Sequence, residues 1–139
     1  MADAMAEFNQ KVIEEFRSSG GKVGGAFAGA PMILVTHRGA KSGKTYTTPL
    51  VYSKDGERYV IIASKAGAPT NPAWYHNLLA HPEVTVEIGH ETFKAKVVEA
   101  RGAERDRLFN AQASLMPQFN EYQKNTSRKI PVLALERVK

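Results

Sequence analysis

The chain has 139 residues, the length of a single domain and enough for one core with one cleft. With 42% hydrophobic and 24% charged residues it belongs with compact globular chains and outside disordered and collagen-like ones, and the absence of cysteine excludes disulfides, thiolate nucleophiles and Cys-ligated zinc or iron–sulfur centres. Nineteen Lys and Arg against fourteen Asp and Glu leave a net charge of +5, which suits an anionic partner, a phosphorylated small molecule as readily as nucleic acid.

Phe8, Val12, Ile13 and Phe16 recur at helical spacing among charged residues and predict an amphipathic N-terminal helix of about four turns. Its polar face is mixed in sign, which favours packing on the domain over the alternatives of a lid across a site or a peripheral contact with the inner face of the membrane. Gly20 to Pro31 holds five glycines and a proline and reads as a connector, so residues 1–31 form a helix and Gly-rich link ahead of a domain over 32–139. The N-terminus lacks a basic region followed by an apolar one, and no uncharged stretch supplies the roughly 20 apolar residues of a spanning helix; a cytoplasmic protein is expected.

Met32-Ile33-Leu34-Val35-Thr36 is a short β-rich run bounded by turn residues and predicts a strand buried on nearly both faces. Thr45–Tyr52 and Arg58–Ser64 predict two more, paired antiparallel through Lys54-Asp55-Gly56-Glu57, since Asp-Gly is a strong hairpin signal. Asn71 followed by Pro72 predicts an N-cap and a first-turn proline for a helix from Pro72 to Ala80. Val84, Val86 and Ile88, then Phe93, Ala95 and Val97 after Gly89-His90-Glu91, alternate with polar residues as a second hairpin. A helix follows from Ala103 to Leu115, a short helical or irregular piece reaches Lys124, and Pro131 to Arg137 closes the sheet. Strands in hairpins with separate helices predict an α+β fold with a strongly curved or barrel-like antiparallel sheet.

Gly39-Ala40-Lys41-Ser42-Gly43-Lys44-Thr45 is one residue short of a nucleotide P-loop and runs into a strand where that motif needs a helix. What remains is a glycine-flanked turn with Arg38, Lys41, Ser42 and Lys44, either an anion cradle or a solvated basic tip. Ser64 and Lys65 leave a buried strand and lead to a helix carrying Trp74, Tyr75, His76 and Asn77, where an aromatic ring can wall a planar ligand or simply fill the core. His37, His76, His81 and His90 form no metal-ligand motif, and no G-x-S-x-G surrounds a serine. A chain of this kind suits hydride transfer, in which a cofactor carries the reaction.

Thr36-His37-Arg38-Gly39-Ala40-Lys41-Ser42-Gly43, Thr48-Pro49-Leu50, Ala63-Ser64-Lys65-Ala66-Gly67-Ala68, and Asn71-Pro72-Ala73-Trp74-Tyr75-His76-Asn77-Leu78 with His81-Pro82, in that order, resemble the deazaflavin-dependent nitroreductase family. The resemblance implies a split β-barrel, actinobacterial biology and coenzyme F-420, an 8-hydroxy-5-deazaflavin with a phosphate and an oligoglutamate tail. It places Lys41, Ser42, Ser64 and Lys65 along the cofactor's ring and anionic arm and Trp74 in the same site, and extends the cofactor-binding set to Arg38, Lys44, Thr48, Pro49, Ala63 and Asn77. Tyr122, in Phe119-Asn120-Glu121-Tyr122, resembles the tyrosine-bearing segment lining the substrate pocket, so Ser64 and Tyr122 are the candidate catalytic residues. Ala40 and Tyr46 stand where arginines are frequent in the family, and Met116 and Phe119 make the pocket more apolar.

The activity this implies is hydride transfer from reduced F-420 to a quinone, an enone or a nitroaromatic, with the coenzyme reduced by a separate dehydrogenase. No metal is expected. The alternatives are a flavin mononucleotide- or haem-binding split barrel, because one fold hosts several ligands, and a non-catalytic barrel binding anions or nucleic acid. The cations form no continuous stripe interleaved with aromatics, so no nucleic-acid partner is expected.

Overall fold

The computed structural model describes residues 4–19, 32–64 and 71–138, with side chains from residue 10 onward. The Phe8 side chain, the connector from Gly20 to Pro31 and the loop bearing Lys65 lie outside the described part. Elements run in the order α1 (Ala4–Ser19), β1 (Met32–Arg38), β2 (Thr45–Val51), β3 (Ser53–Asp55), β4 (Arg58–Ile62), α2 (Ala73–Ala80), β5 (Glu83–Ile88), β6 (Glu91–Ala100), α3 (Gly102–Leu115), α4 (Gln118–Lys124) and β7 (Val132–Arg137).

The strands form one antiparallel sheet in the order β2-β1-β5-β6-β7-β4-β3. Its two edges, β2 and β3, are separated in sequence by Tyr52 alone. The sheet must therefore curl until its edges meet, and the result is a split barrel. Alternation along each strand sends Ile33, Val35, Ile61, Val84, Val86, Ala95, Val97, Leu133 and Leu135 inward, and Tyr75 and Leu78 of α2 join that interior. The outer faces are covered too. Val12, Ile13 and Phe16 of α1 pack on Met32 and Leu34, and Leu108, Phe109, Ala113 and Phe119 of α3 and α4 pack on Val60, Ile62, Ala100 and Val132. This explains why β1 is apolar at successive positions: one face meets the barrel interior and the other meets α1.

Burying Val12, Ile13 and Phe16 stabilises the α1 docking by about 1.5–3 kcal/mol per side chain, and Arg17 adds paired bonds of 3.0 and 2.8 Å to the Glu87 carboxylate of β5. Arg17 is half exposed, so that pair contributes at most about 1 kcal/mol. Val12, Ile13 and Phe16, the apolar residues of α1 whose side chains are described, are thus spent on the barrel. No helix among the described residues is long and apolar enough to cross a membrane.

Two expectations change. The Asp55-Gly56 turn joins β4 to the short β3, with Asp55 opposite Arg58, and not to the strand beginning at Thr45. That strand is paired along its whole length with β1, from Met32↔Val51 to Arg38↔Thr45, and lies at the other edge of the sheet. Nor does Asn71 cap α2: Pro72 occupies the N-cap position without a side-chain cap bond, because the Asn71 Oδ1 accepts from the Arg128 guanidinium at 2.7 Å. A charged donor outcompetes the backbone amides for that oxygen.

Candidate active site

A groove of about 1220 Å³ opens between α1, the turn after β1, the edge strand β2 and the start of α2. The turn is built by bonds from Gly39 N–H to Lys44 O (2.8 Å), Gly43 N–H to Gly39 O (3.1 Å) and Lys44 N–H to Ser42 Oγ (3.2 Å). Gly43 sits at φ 71°, a left-handed conformation that glycine adopts without steric cost. Gly39 is required for closeness: a Cβ there would stand 2.6 Å from Ser42 Oγ and 3.0 Å from the Tyr46 ring. Ala40 N–H is taken by Asn77 Oδ1 at 2.9 Å. Among the described residues no acceptor claims the amides of Lys41 and Ser42, which leaves two backbone donors beside the Lys41 ammonium at the groove.

Behind the turn lies a polar chain. Asn77 Nδ2 is 3.2 Å from His37 Nδ1, and His37 Nε2 is 2.9 Å from Thr48 Oγ1. His37 is 5% exposed, and burial pulls its pKa from 6.5 down to about 4, so the ring is neutral at pH 7. Trp74, half-buried, packs partly on the barrel interior and forms the aromatic wall of the groove.

Of the residues expected from sequence, the groove gathers Lys41, Ser42, Thr48, Trp74 and Asn77. Arg38 and Lys44 are exposed on the flanks of the turn, next to lining residues without lining the groove themselves. Pro49 stands opposite Leu34 in the β1–β2 register, and Ala63 is fully buried in the barrel interior; neither is among the groove-lining residues, which along β2 run from Thr45 to Thr48. Lys65 lies outside the described residues. Ser64, partly exposed at the end of β4, is also outside the lining set, yet it is tied to it. Arg128 donates to the carbonyls of Ala63 (3.2 Å) and Ser64 (2.7 Å) and to Asn71 Oδ1, pinning the β4 corner to the residue that leads into α2 and Trp74.

Tyr122 is half-buried against the outer core, its ring edge-on to Phe119 at 5.3 Å, and Phe119 is itself buried. Met116 packs there as well, its sulfur accepting from Gln112 Nε2 at 3.3 Å. The apolar side chains expected around a substrate therefore serve the seat of α3 and α4 on the barrel.

Sequence reasoning missed His37, Gln10 and Ile13 as groove residues and Arg128 as the corner pin. The signal for His37 was present: extending the first strand by two residues places it in phase with Ile33 and Val35. Arg128 had no local signal, because its partners are far away in sequence.

The architecture is that of the split-barrel F-420-dependent reductases. A solved chain described as an F-420-H(2) dependent reductase (FDR-A) superposes with a TM-score of 0.71 at 37% identity, covering 76% of this chain and 94% of the other. Another, solved as a domain-swapped dimer, superposes at 0.73 with 33% identity over 95% and 96% of the two chains. Residues 9–137 match the family described as F-420H(2)-dependent quinone reductase, and the chain belongs to that family. The F-420H(2)-dependent quinone reductase Rv1261c of Mycobacterium tuberculosis is 40% identical over 126 residues, 88% of this chain and 85% of that protein. The family is one of oxidoreductases, and its cofactor is coenzyme F-420.

Proposed function

We propose that the groove binds reduced F-420 and that the chain directs a hydride from it to a quinone. The observation that carries this reading is the meeting, in one hollow, of an anion-receptive turn and an aromatic wall. The donor set suits a flat polyanion: the free amides of Lys41 and Ser42 and the Lys41 ammonium offer charge-assisted bonds to phosphate or carboxylate oxygens, with Arg38 and Lys44 adding field from the flanks. The volume accommodates an elongated coenzyme with space left for an acceptor. Ala40 and Tyr46, in place of arginines, leave Lys41 as the cation nearest the tail; Tyr46 instead lies over Gly39 with its hydroxyl 3.4 Å from Ser42 Oγ.

F-420, when bound in reduced form, supplies the hydride as a two-electron donor. The chain's own task is to orient it, exclude water from its ring, and stabilise the oxyanion that forms on the quinone, which takes up a proton to become the hydroquinone. Trp74 covers the ring. Ser64, at the corner pinned by Arg128, is the hydrogen-bond donor to the acceptor oxygen, and solvent or Tyr122 supplies the proton. A cytoplasmic setting and a separate dehydrogenase that regenerates reduced F-420 complete the reading.

Trp74 is the only tryptophan, so its fluorescence reports on the groove directly. Titration with F-420 should quench it, and reduced F-420 should be reoxidised only when a quinone such as menadione is added. Tight binding of flavin mononucleotide or haem with no response to F-420 would refute the assignment. Ser64→Ala and Tyr122→Phe should lower turnover more than coenzyme affinity; loss of affinity alone would remove both from the catalytic role.

A further inference from the structure

The polar chain behind the turn has a direction, and the direction is fixed at a backbone atom. Ala40 N–H can only donate, so the oxygen of the Asn77 amide must face it and the NH2 must face His37. That NH2 can only donate, so His37 Nδ1 must carry a lone pair and the ring proton must sit on Nε2. Nε2–H then donates to Thr48 Oγ1, 2.9 Å away, and the hydroxyl's own proton must point elsewhere. An imidazolium, or the other tautomer, would set two donors against each other at Nδ1. The depressed pKa of His37 agrees with a neutral ring. Thr48 and His37 both line the groove, and among the described residues no acceptor claims the Thr48 proton.

We infer that His37 is a positioning residue: through it the Asn77 amide, oriented by Ala40, presets Thr48 as a hydrogen-bond donor into the groove, aimed at an acceptor atom of the bound coenzyme. The inference rests on the reading of the groove as the F-420 site and adds to it a polarity. At Thr48 the site offers a proton to a carbonyl, phenolate or phosphate oxygen, because His37 takes one of the hydroxyl's two acceptor positions and leaves its proton free for the ligand. Preset donors cost little reorganisation when the ligand arrives. The same chain links the anion-receptive turn to β2, since Asn77 holds Ala40 with one end of its amide and His37 with the other.

Two measurements decide it. Nitrogen-15 NMR of the histidine rings in the ligand-free protein at pH 7 should show His37 as the neutral Nε2–H tautomer; an Nδ1–H tautomer or an imidazolium overturns the chain whatever the groove binds. Separately, Kd for F-420 from Trp74 quenching is measured in a double-mutant cycle. Thr48→Val should weaken binding about tenfold, the scale of one hydrogen bond to a charged or strongly polar acceptor, and Thr48→Ser should restore it. His37→Phe should cost about as much in the parent protein and close to nothing in the Thr48→Val background, which a merely structural role would not produce. Should His37→Phe fail to fold, His37→Gln, which keeps one donor and one acceptor, replaces it and should stay within about threefold of the parent. Additive losses, or a rise in quinone KM with F-420 Kd unchanged, overturn the proposal. A parent protein that ignores F-420 while His37 keeps its proton on Nε2 would refute the cofactor reading and its ligand half, leaving only the preset donor.

Discussion

Arg128 offers the sharpest test of how the site is held. Its guanidinium makes bonds of 2.7 Å to Ser64 O, 2.7 Å to Asn71 Oδ1 and 3.2 Å to Ala63 O, and it is the described tie between the end of β4 and the start of α2. Burial lowers its pKa from the usual arginine value, yet the group stays charged at any working pH. Arg128→Met keeps much of the aliphatic stem and removes every donor. Ser64 and Asn71 are partly exposed and can recruit water, whereas Ala63 is fully buried and its carbonyl loses a partner outright. At about 1–3 kcal/mol for the stranded carbonyl and a few tenths for each rehydrated acceptor, the expected loss is about 2–3 kcal/mol. For a chain of 139 residues, 1 kcal/mol corresponds to about 3 °C in Tm, so calorimetry should register a fall of about 6–9 °C. Arg128→Lys can satisfy at most part of the set and should recover less than half of it. A Met variant within about 0.5 kcal/mol of the parent, or a Lys variant equal to it, would show that the corner is held by something else.

Other predictions follow from the same geometry. His37 binds its proton less well folded, at about 4, than unfolded, at 6.5. The unfolded chain therefore holds more protons between these values, and stability present above pH 6.5 is lost as pH falls toward 4, by at most about 3 kcal/mol; urea titrations from pH 7 to 4 should show this slope, and His37→Gln should flatten it. Tyr75 behaves in mirror image. Burial first, and then its 2.5 Å bond to Glu99, raise its pKa to about 12, so stability should decline as pH rises from 10 to 12, and Tyr75→Phe should abolish that decline. Gly39→Ala places a methyl against Ser42 Oγ and the Tyr46 ring, both at movable side-chain ends. It should weaken F-420 binding about tenfold by displacing the Ser42 hydroxyl while shifting Tm by only a few degrees, and an unchanged Kd would remove that hydroxyl from the site.

Each perturbed group meets the partners named for it within one chain. Arg105 illustrates the same economy outside the site. It is buried and donates to Ile130 O from Nε and Nη2, and to Gln123 Oε1, while its guanidinium lies 4.5 Å from the Phe109 ring centroid. One side chain thereby fixes α3, α4 and the approach to β7. The buried charge is tolerated because its donors are met by carbonyl and amide oxygens and by Asp106 at 3.1 Å.

What the sequence determined was local. The apolar spacing of Val12, Ile13 and Phe16, the alternation in β5 and β6, the turn at Asp55-Gly56 and the prolines flanking α2 and β7 each act through neighbours a few residues away, so each could be read in place. The contiguous blocks around Lys41 and Trp74 were legible for the same reason and carried the likeness to deazaflavin enzymes. Tertiary structure decided which edge each strand took and which side chains shared a hollow. Strand β2 pairs with β1 through the local Gly39–Lys44 turn, but its place at the edge opposite β3, with only Tyr52 between the two strands, is a constraint on the whole barrel that no local signal encodes. His37 finds Asn77 forty residues away, and Arg128 finds Ser64 sixty-four residues away. Such bonds gain their worth from burial, where an unmet donor or acceptor is expensive, and burial exists only once the chain has closed on itself.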